Sequence, residues 1–346
     1  GLTVLIVSCP CALGLATPLA VAAGVREAAD AGIVVVSEAV FEAVPEVDVV
    51  VFDKTGTLTT GEMRVAEVVG EDPDTLRRRA AAVESRANHP VATAIADAVE
   101  NPPDATGFEG HATGVSAVVD GDRVTVGRAD LLRSEGLAVP DELDRRATDA
   151  ADAGQRPVFV GWDGQAQGLL LLGERERPEA TEVVADLSAE HEVVVLTGDE
   201  SGAVERIEDR IDADEVFAGV PPEAKAETVE RLRGRGTVAM VGDGSNDGPA
   251  LAAADLGIAL GSGTDLAADA ADAVLLDDDL RNVTALFEIA NGTHGRIRQN
   301  LGWAFLYNAV AIPIAVAGLL NPLFAAVAMT ASSLLVVTNS SRSLRS

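Results

Sequence analysis

Residues 49–57 limit what this chain can fold into more than any other segment. Four apolar residues, 49–52, are followed at once by Asp53, Lys54 and Thr55. A short apolar run with high β propensity predicts a buried parallel strand, and its abrupt polar end predicts that Asp53 lies at the strand's carboxyl end. Open α/β sheets bind their ligands at that edge. The sequence therefore predicts an α/β domain with a functional carboxylate at Asp53.

Asp53 and Lys54 form a candidate centre for phosphoryl transfer. A carboxylate can attack phosphorus if cations offset the charge that it shares with the phosphate, and Lys54 and Mg²⁺ would do so. Soluble phosphatases of the haloacid-dehalogenase type have a second Asp two residues further on, which acts as acid and then as base, whereas this chain has Thr55. An acyl phosphate without an internal base lasts longer. That favours an enzyme that uses the intermediate to drive a conformational change.

The P-type ATPases have a phosphorylation motif that this chain resembles at Asp53-Lys54-Thr55-Gly56-Thr57-Leu58-Thr59. The resemblance implies an aspartyl phosphate on Asp53. It also implies an α/β fold, with a haloacid-dehalogenase-like parallel-sheet phosphorylation domain, an inserted antiparallel α+β nucleotide-binding domain and three transmembrane helices.

The charge balance excludes some classes of partner. The 346 residues include 55 acidic and 26 basic side chains, and the net charge of −29 argues against nucleic acid and against docking on anionic lipid. Only two of the basic residues are lysines, Lys54 and Lys225. An acidic surface poor in lysine suggests a halophilic source.

Three long uncharged runs, at residues 1–25, 301–320 and 323–337, are predicted to cross a bilayer as helices. The alternative is three buried core helices. One set of their ends carries the basic residues Arg26, Arg296, Arg298, Arg342 and Arg345, while the turn at Asn321-Pro322 has no charge. The positive-inside rule then predicts a multi-pass protein of the cell membrane, with the lipid bilayer as a partner and its soluble domains in the cytoplasm.

The order of strand patterns predicts how the domains are arranged. Apolar runs at 193–196, 238–241 and 256–260 continue the rhythm begun at residue 49, while strands at 107–127 and a hairpin around Asp163-Gly164 interrupt it. We therefore predict a transmembrane helix at 1–27, a phosphorylation domain at 28–62 and 172–292, a nucleotide-binding domain at 63–171 and a transmembrane hairpin at 300–338. Residues 28–47 are expected to form a polar connection.

Two further strand ends carry hydrophilic signatures, Thr197-Gly198-Asp199 and the segment 242–247. Parallel strands bring such ends together, so these groups are expected to converge with Asp53. Asp243 would hold Mg²⁺ together with Asp53, and the Thr197 hydroxyl would hold phosphate oxygens. Lys225 would neutralise the transferring phosphate.

These signatures resemble the hinge motifs of the P-type ATPases in order and spacing. Two residues depart from the family pattern, Ser245 and Gly248. The resemblance implies that Mg²⁺ is bound by Asp53, Thr55 and Asp243. It implies a catalytic set of Asp53, Lys54, Thr55, Thr197, Gly198, Asp199, Lys225, Asn246 and Asp247.

The segment 84–90 resembles the nucleotide-binding signature of the heavy-metal-transporting branch, and it implies ATP binding at Glu84, His89 and Gly114. Because residues five apart do not share one face of a helix, His89 is predicted to lie just past a helix end, at Pro90. Two positions differ from the family pattern: Ala112 replaces a glycine and Arg128 replaces an asparagine.

Cys9 and Cys11, separated by one proline, point to a transported metal rather than a disulfide framework. A helix broken near Cys9-Pro10-Cys11 is expected, and thiolates there would select Cu(I) but also bind Zn²⁺. The later runs add neutral groups, similar to the ion path of the copper-exporting type, and lack the Lys and Asp of the zinc type. The resemblance implies that Cu(I) or Ag(I) is bound by Cys9, Cys11, Tyr307, Asn308, Met329 and Ser333.

We therefore predict the carboxyl-terminal part of a copper-exporting P-type ATPase, with ATP, Mg²⁺, copper and a copper chaperone as partners. The chain begins at Gly1 within an apolar segment, so it is expected to belong to a longer protein that also contains the earlier membrane helices and the actuator domain. On its own it is expected not to transport. The alternatives are a zinc or cadmium P-type ATPase, a soluble aspartate-nucleophile phosphatase, and a catalytically silent membrane metal-binding protein.

Overall fold

A computed structural model describes residues 11–199, 211–243, 247–261 and 270–344 of the chain. The chain divides into two compact units. The first contains Gly1–Asp53, Glu182–Val194 and Pro222–Ser346, and the second contains Lys54–Thr181 and Val195–Pro221. Cys9 and Asn246 lie outside the described residues, as does Ser245.

The first sheet has seven strands, β1 (Ile33–Val35), β2 (Val47–Asp53), β9 (Glu192–Leu196), β10 (Glu215–Phe217), β11 (Thr237–Gly242), β12 (Leu256–Leu260) and β13 (Ala273–Leu275). Their order is β1-β13-β12-β11-β2-β9-β10. Strands β2, β11, β12 and β13 run parallel, as their continuous apolar sequences predict. In that register Val241 pairs with Phe52, so β11 and β2 end side by side. The parallel α/β sheet expected from the sequence is confirmed.

The prediction that residues 28–47 form a polar connection is wrong. Helix α1 (Cys11–Asp30) extends into this segment, and β1 and the short helix α2 (Val40–Ala43) follow. Strand β1 pairs with β13 in the antiparallel direction, at the edge of an otherwise parallel group of strands. The run Ile33-Val34-Val35-Val36 carries the β-branched residues that explain this strand.

The second unit contains an antiparallel sheet of six strands in the order β3-β8-β7-β6-β5-β4. Its strands are β3 (Thr59–Gly70), β4 (Ala105–His111), β5 (Gly114–Val119), β6 (Asp122–Gly127), β7 (Arg156–Trp162) and β8 (Gln165–Glu176). Helices α3 (Pro73–Glu84), α4 (Pro90–Ala96), α5 (Ala129–Ser134) and α6 (Asp141–Asp152) belong to the same unit. This is the antiparallel α+β module predicted from the sequence.

The remaining helices belong mainly to the first unit: α7 (Ala180–Ser188), α8 (Pro222–Leu232), α9 (Gly248–Ala253), α10 (Arg281–Val316) and α11 (Pro322–Ser340). Helix α10 is 36 residues long, so residues 301–316 of the predicted run form the second part of a continuous helix that ends before residue 320. Asn321 caps α11 by accepting a hydrogen bond from the Leu323 amide at 2.9 Å. The turn predicted at Asn321-Pro322 is therefore present.

A buried amide ties three of these helices together. The Asn300 side chain of α10 donates hydrogen bonds to the Ala16 carbonyl of α1 at 3.1 Å and to Ser340 Oγ of α11 at 2.9 Å. Its own oxygen accepts one from Asn339 at 2.9 Å. Because every polar atom of this buried amide has a partner, its hydrogen bonds offset the cost of burying it, and the amide helps to fix the helices' relative positions.

Among the described helices, Pro322–Ser340 is the one whose length and mean hydropathy of 1.6 suffice to cross a membrane. The first predicted membrane segment, residues 1–25, lies partly outside the described residues. The second, residues 301–320, overlaps α10, whose first part is polar and whose second part is apolar. Three membrane spans therefore remain a prediction.

Candidate active site

Asp53 is the last residue of β2, and it is buried because the strand that carries it is buried. Residues 49–52 are almost fully buried, so the carboxylate at the strand end is buried as well, at 2 % exposure. Lys225 of α8 lies 2.6 Å from Asp53 Oδ1, and its ammonium also donates to Asp247 Oδ1 at 2.7 Å. The first unit therefore brings three sequence-predicted site residues into direct contact.

Burial and, second to it, an excess of negative charge determine the protonation of Asp53. Burial raises the pKa of Asp53 to about 7; Asp247 adds to the shift, Asp243 adds less, and Lys225 opposes it. Burial lowers the pKa of Lys225, but Asp53 and Asp247 outweigh it and raise that pKa above its usual value. Three carboxylates face one ammonium, so a further cation would stabilise the ionised form of Asp53.

The donor set suits Mg²⁺, which prefers hard oxygen ligands and takes one or two carboxylates together with water and substrate phosphate. Asp53 and Asp243 supply such carboxylates. The Asp243 backbone amide donates a hydrogen bond to Asp247 Oδ2 at 3.3 Å. This bond fixes the backbone of Asp243, the residue that follows strand β11. Within the described ranges, no three His, Cys, Asp or Glu side chains form a metal site by themselves. The residues thus fit Mg²⁺ that arrives with a phosphate ligand.

In the second unit, the motif residues after Asp53 form a turn of their own. Gly56 has a φ of 79°, a left-handed conformation that glycine adopts without strain. Arg177 holds this turn: its Nε donates to the Thr57 carbonyl at 2.8 Å, its Nη2 donates to the Gly56 carbonyl at 3.2 Å, and its backbone amide donates to Leu58. Sequence reasoning missed Arg177. The sequence feature that could have drawn attention to Arg177 is its position between a long strand and Pro178.

The predicted phosphate-binding group at residues 197–199 also belongs to the second unit. The Thr197 hydroxyl accepts from the Asp199 amide at 3.1 Å, and the Thr197 backbone is bonded to Phe217 and Val220. Lys54 forms an ion pair with Asp199. Gly198 has space for a Cβ atom, the nearest neighbour being 3.6 Å away. The loop is thus fixed by local bonds, and Lys54 is held by Asp199.

Glu84 and His89 lie at facing helix ends, and His89 stands between two helices beside Pro90, as predicted. Glu84 is the last residue of α3, and His89 is the N-cap of α4, where its Nδ1 accepts from the Ala92 amide at 3.1 Å. The Nε2 atom of His89 lies 3.9 Å from Glu84 Oε2. Burial raises the pKa of Glu84 to about 7.

His89 borders a cavity of about 820 Å³ in the second unit, together with residues of β3 and the basic side chains of Arg64 and Arg175. Neither Glu84 nor Gly114 lines this cavity. Gly114 instead pairs with Gly127 across strands β5 and β6. A Cβ atom on Gly114 would lie 2.2 Å from the Val126 carbonyl oxygen, so this close approach of two strands requires glycine.

The predicted ion-path residues are distributed over three helices. Cys11 is the first residue of α1. On α10 and α11, Tyr307, Asn308, Met329 and Ser333 are half-buried. The Tyr307 hydroxyl and Asn308 Oδ1 are buried and have no hydrogen-bond partner in the described part of the chain. Unsatisfied polar atoms inside an apolar helix pair are costly, which indicates a functional reason for them.

Comparisons with known proteins give a consistent result. Residues 47–255 match the family of haloacid dehalogenase-like hydrolases. The chain is 45 % identical to a probable copper-exporting P-type ATPase V of Mycobacterium tuberculosis, over 99 % of this chain and 46 % of that protein. The chain therefore spans about half the length of the curated relatives it matches.

Solved structures resemble it as well. A zinc-transporting PIB-type ATPase in an E2.Pi state superimposes with a TM-score of 0.90 and 35 % identity, over 99 % of this chain and 57 % of that one. A CopB-B catalytic domain, solved in a study of conformational changes upon nucleotide binding, gives a TM-score of 0.58 at 25 % identity. It covers 77 % of this chain and 99 % of that domain.

Proposed function

Since this chain belongs to the haloacid dehalogenase-like hydrolases and, within them, to the P-type ATPases, we propose that its complete gene product is an ATP-driven heavy-metal pump. Residues 28–62 and 172–292 would form its phosphorylation domain and residues 63–171 its nucleotide-binding domain. Helical segments 1–27 and 300–338 would form part of its membrane domain. The observation that carries this proposal is the buried Asp53 carboxylate at the end of β2, with Lys225 2.6 Å away.

The proposed reaction is transfer of the terminal phosphoryl group of ATP to Asp53. A carboxylate oxygen of Asp53 forms a bond to phosphorus, the bond to the bridging oxygen breaks, and ADP leaves with that electron pair. The Lys225 ammonium stabilises the negative charge that the transferred phosphoryl group brings to Asp53. The nucleophile must be ionised, whereas burial and the neighbouring Asp247 raise the pKa of Asp53 and so favour its neutral form. Binding of a cation is therefore part of the activation of Asp53.

Bound Mg²⁺ would supply that cation and would neutralise phosphate oxygens. Asp53 and Asp243 would hold it, with Thr55 as the third predicted ligand. Asp247 holds the Asp243 amide and the Lys225 ammonium, and so it positions both groups. The roles of Lys54, Thr197, Gly198, Asp199 and Asn246 stay predictions from the motifs.

We assign ATP binding to the second unit, at Glu84, His89 and Gly114. Three observations support the assignment: the helix-capping geometry of His89, the buried Glu84 carboxyl group behind it, and the glycine-dependent contact at Gly114. The similarity to a catalytic domain studied with nucleotide supports it too.

We propose Cu(I) or Ag(I) as the transported ion. The thiolate of Cys11 and the thioether of Met329 are soft ligands. The remaining ligands are neutral oxygens, those of Tyr307, Asn308 and Ser333. The cysteine thiolates are therefore the negatively charged ligands of this set. A divalent ion demands more compensating charge in hydrocarbon. The name of the Mycobacterium relative agrees with copper. A copper chaperone would deliver the ion.

Zn²⁺ is the second candidate cargo. The observation that favours it is the high similarity to a zinc-transporting pump over nearly the whole chain. The absence of Lys and Asp from residues 301–337 weighs against it, because these are the groups that the zinc type carries in its membrane helices.

We propose a multi-pass location in the cell membrane. Large apolar side chains on α10 and α11 are unusually exposed, and lipid would cover them. On these helices and the turn between them, the most exposed are Trp303, Phe305, Leu306, Val310, Val316, Leu319, Leu323, Phe324, Val327, Leu334 and Leu335, at 53–80 %. The basic residues beside Asn300 and after Ser340 would face the cytoplasm.

The decisive experiment is labelling of the complete gene product with ATP that carries labelled terminal phosphate. Acid-stable label is expected in the wild type and absent in Asp53→Asn, because an amide cannot attack phosphorus. Asp186→Asn, which changes an exposed carboxylate of α7, should label like the wild type. Label that persisted in Asp53→Asn would refute the assignment.

A further inference from the structure

The end of helix α11 is held by an arginine of α10. The Arg296 guanidinium donates hydrogen bonds to three backbone carbonyls, those of Asn339, Arg342 at 3.3 Å and Ser343 at 3.2 Å. The last carbonyls of a helix have no partner within it and form the negative end of its dipole, so a cation stabilises them. Arg296 therefore caps α11 and fixes the segment that follows it, residues 341–344.

Glu27 of α1 binds the same segment. One of its carboxylate oxygens accepts a hydrogen bond from Ser343 Oγ at 3.2 Å, and the other accepts one from the Leu344 amide at 2.9 Å. Such charge-assisted bonds are stronger than bonds between neutral groups. Glu27, Arg296 and residues 341–344 thus form one network, which we call the clasp. The clasp joins α1, α10 and α11.

The clasp also packs closely on α10. Leu344 is buried, at 9 % exposure. A Cβ atom on Gly292 would stand 2.7 Å from the Leu344 carbonyl oxygen and 3.3 Å from the Leu344 Cβ atom, so a larger residue at that position would force the segment away from the helix. The clasp therefore closes on α10 because residue 292 is glycine.

From the clasp, direct contacts lead along α10 to the strand that carries Asp53. The Phe287 ring of α10 makes an edge contact with the His191 ring, with centroids 5.2 Å apart. His191 Nδ1 donates a hydrogen bond at 2.9 Å to the carbonyl of Val47, the first residue of β2. Strand β2 ends at Asp53. All of these residues belong to the first unit, as do α1, α10 and α11.

We propose that Glu27 is a positioning residue for transport: through the clasp it makes phosphorylation of Asp53 respond to the ion held by α1, α10 and α11. The inference rests on the proposed function, in which these helices supply the ion ligands. Coupling between distant sites is carried by packed side chains and hydrogen-bond networks. With the clasp intact, a shift of α1 on ion binding carries α10 and α11 with it. Without Glu27, α1 shifts alone.

Glu27 is a better residue to test than Asn300, which joins the same three helices. The Asn300 bonds are buried, so its substitution would leave buried polar groups without partners. The bonds of Glu27 are partly exposed, so water can replace its carboxylate. Loss of the Glu27 side chain should therefore open the clasp without unfolding the protein.

The test measures ATP hydrolysis by the complete gene product with and without Cu(I), together with the amount of Cu(I) bound. Glu27→Ala should bind as much Cu(I) as the wild type and keep its basal hydrolysis. Stimulation by Cu(I) should fall by about fivefold or more, which is the lower range of coupling between sites. Glu27→Gln offers an acceptor to the Leu344 amide and a donor to Ser343 Oγ, so it should recover most of the stimulation.

A pair of glycine substitutions opens the clasp without a change of charge. Gly292→Ala displaces the Leu344 carbonyl and should reduce the stimulation as Glu27→Ala does. Gly295→Ala, one turn later on α10, has nothing within 4 Å of its Cβ position and should leave the stimulation unchanged. Both substitutions raise helix propensity equally, so that effect cancels. Asp30→Ala, which removes an exposed carboxylate of α1, should behave like the wild type.

Three outcomes would overturn the inference and leave the proposed pump intact. They are full stimulation in Glu27→Ala, a proportional fall of its basal and stimulated hydrolysis, and loss of its Cu(I) binding. If Zn²⁺ stimulates the wild type in place of Cu(I), the variants are compared with Zn²⁺ and the same outcomes decide. A wild type that neither ion stimulates would overturn the proposed function and this inference together.

Discussion

Lys225 Nζ lies 2.6 Å from Oδ1 of Asp53 and 2.7 Å from Oδ1 of Asp247, so one ammonium is shared by two buried carboxylates. Asp53 ends strand β2 and Asp247 is the N-cap of α9, and the lysine comes from a helix between them in sequence. The positive charge of Lys225 offsets the electrostatic repulsion between the Asp53 and Asp247 carboxylates, and so it keeps the nucleophile in place. This arrangement also makes the lysine a structural residue as well as an electrostatic one.

Lys225→Met should therefore lower both stability and phosphorylation. Removing one partner of a buried ion pair leaves an uncompensated charge, and we expect a loss of about 3 kcal/mol in the free energy of unfolding. Phosphoenzyme formation should fall by about tenfold or more. Arg231→Met, an exposed change on the same helix, should alter neither quantity. Denaturant titration and labelled ATP measure the two effects, and an unchanged label would contradict the role of Lys225.

Gly114→Ala should disturb the nucleotide-binding module. The added methyl group would stand 2.2 Å from the Val126 carbonyl oxygen and 2.7 Å from Gly127 Cα, so the two strands must separate. We expect a cost of about 2 kcal/mol or more, with weaker ATP binding. Gly110→Ala on the adjacent strand is the matched control, because nothing lies within 4 Å of its Cβ position. Equal effects of the two substitutions would contradict this account.

The stability of the protein should fall with rising pH through a contribution from Glu84. Its folded pKa, about 7, is raised above the usual value of 4.5, so the folded state binds more protons between these two values. The contribution is complete below about pH 4.5 and is lost as the pH rises to about 7, amounting to roughly 3 kcal/mol. Glu84→Gln should lack this part of the slope. Thermal unfolding of both proteins across the range gives the difference, and parallel curves would disprove it.

Metal dependence should follow ligand softness. Cu(I) and Ag(I) are expected to stimulate ATP hydrolysis by the complete gene product, whereas Zn²⁺ should not, and Cys9→Ala or Cys11→Ala should abolish the stimulation. Phosphorylation of Asp53 by inorganic phosphate should survive both substitutions, because it needs no cargo. Equal stimulation by Zn²⁺, with trace copper chelated, would replace the copper proposal and leave the phosphorylation chemistry unaffected.

The membrane arrangement can be tested by labelling single cysteines introduced into a variant without Cys9 and Cys11. Leu319→Cys lies at the turn between α10 and α11, where the native side chain is 80 % exposed, and it should react with an impermeant maleimide in intact cells. Arg298→Cys, an exposed position near the middle of α10, should react only after the cells are opened. The reverse pattern would invert the proposed topology.

The sequence predicted the catalytic strand well because its signal is local. An apolar β-branched run that ends at Asp53 leaves little choice of structure, and the same holds for the strands that end near Leu196 and Val241. The position of His89 beyond a helix end also followed from local geometry, since Pro90 cannot continue the preceding helix.

Long-range relationships could not be predicted in the same way. Arg177 is remote in sequence from the turn that it holds, and nothing near it indicates its partners at Gly56 and Thr57. Strand β1 was missed because three residues are too few for a periodic pattern, and its partner β13 lies about 240 residues later. The contact between Gly114 and Gly127 likewise depends on strand register.

Helix α10 runs without interruption from Arg281 to Val316, a length of about 54 Å at 1.5 Å per residue. Its first turns are packed into the core through Val283, Leu286 and Ile289, while its later turns expose Trp303 and other apolar side chains. A rod of this length is a lever: a tilt of about 5° at the packed end displaces the far end by about 5 Å, nearly one helical turn. Small angular changes at one end of α10 thus become displacements as large as an ion's coordination shell at the other.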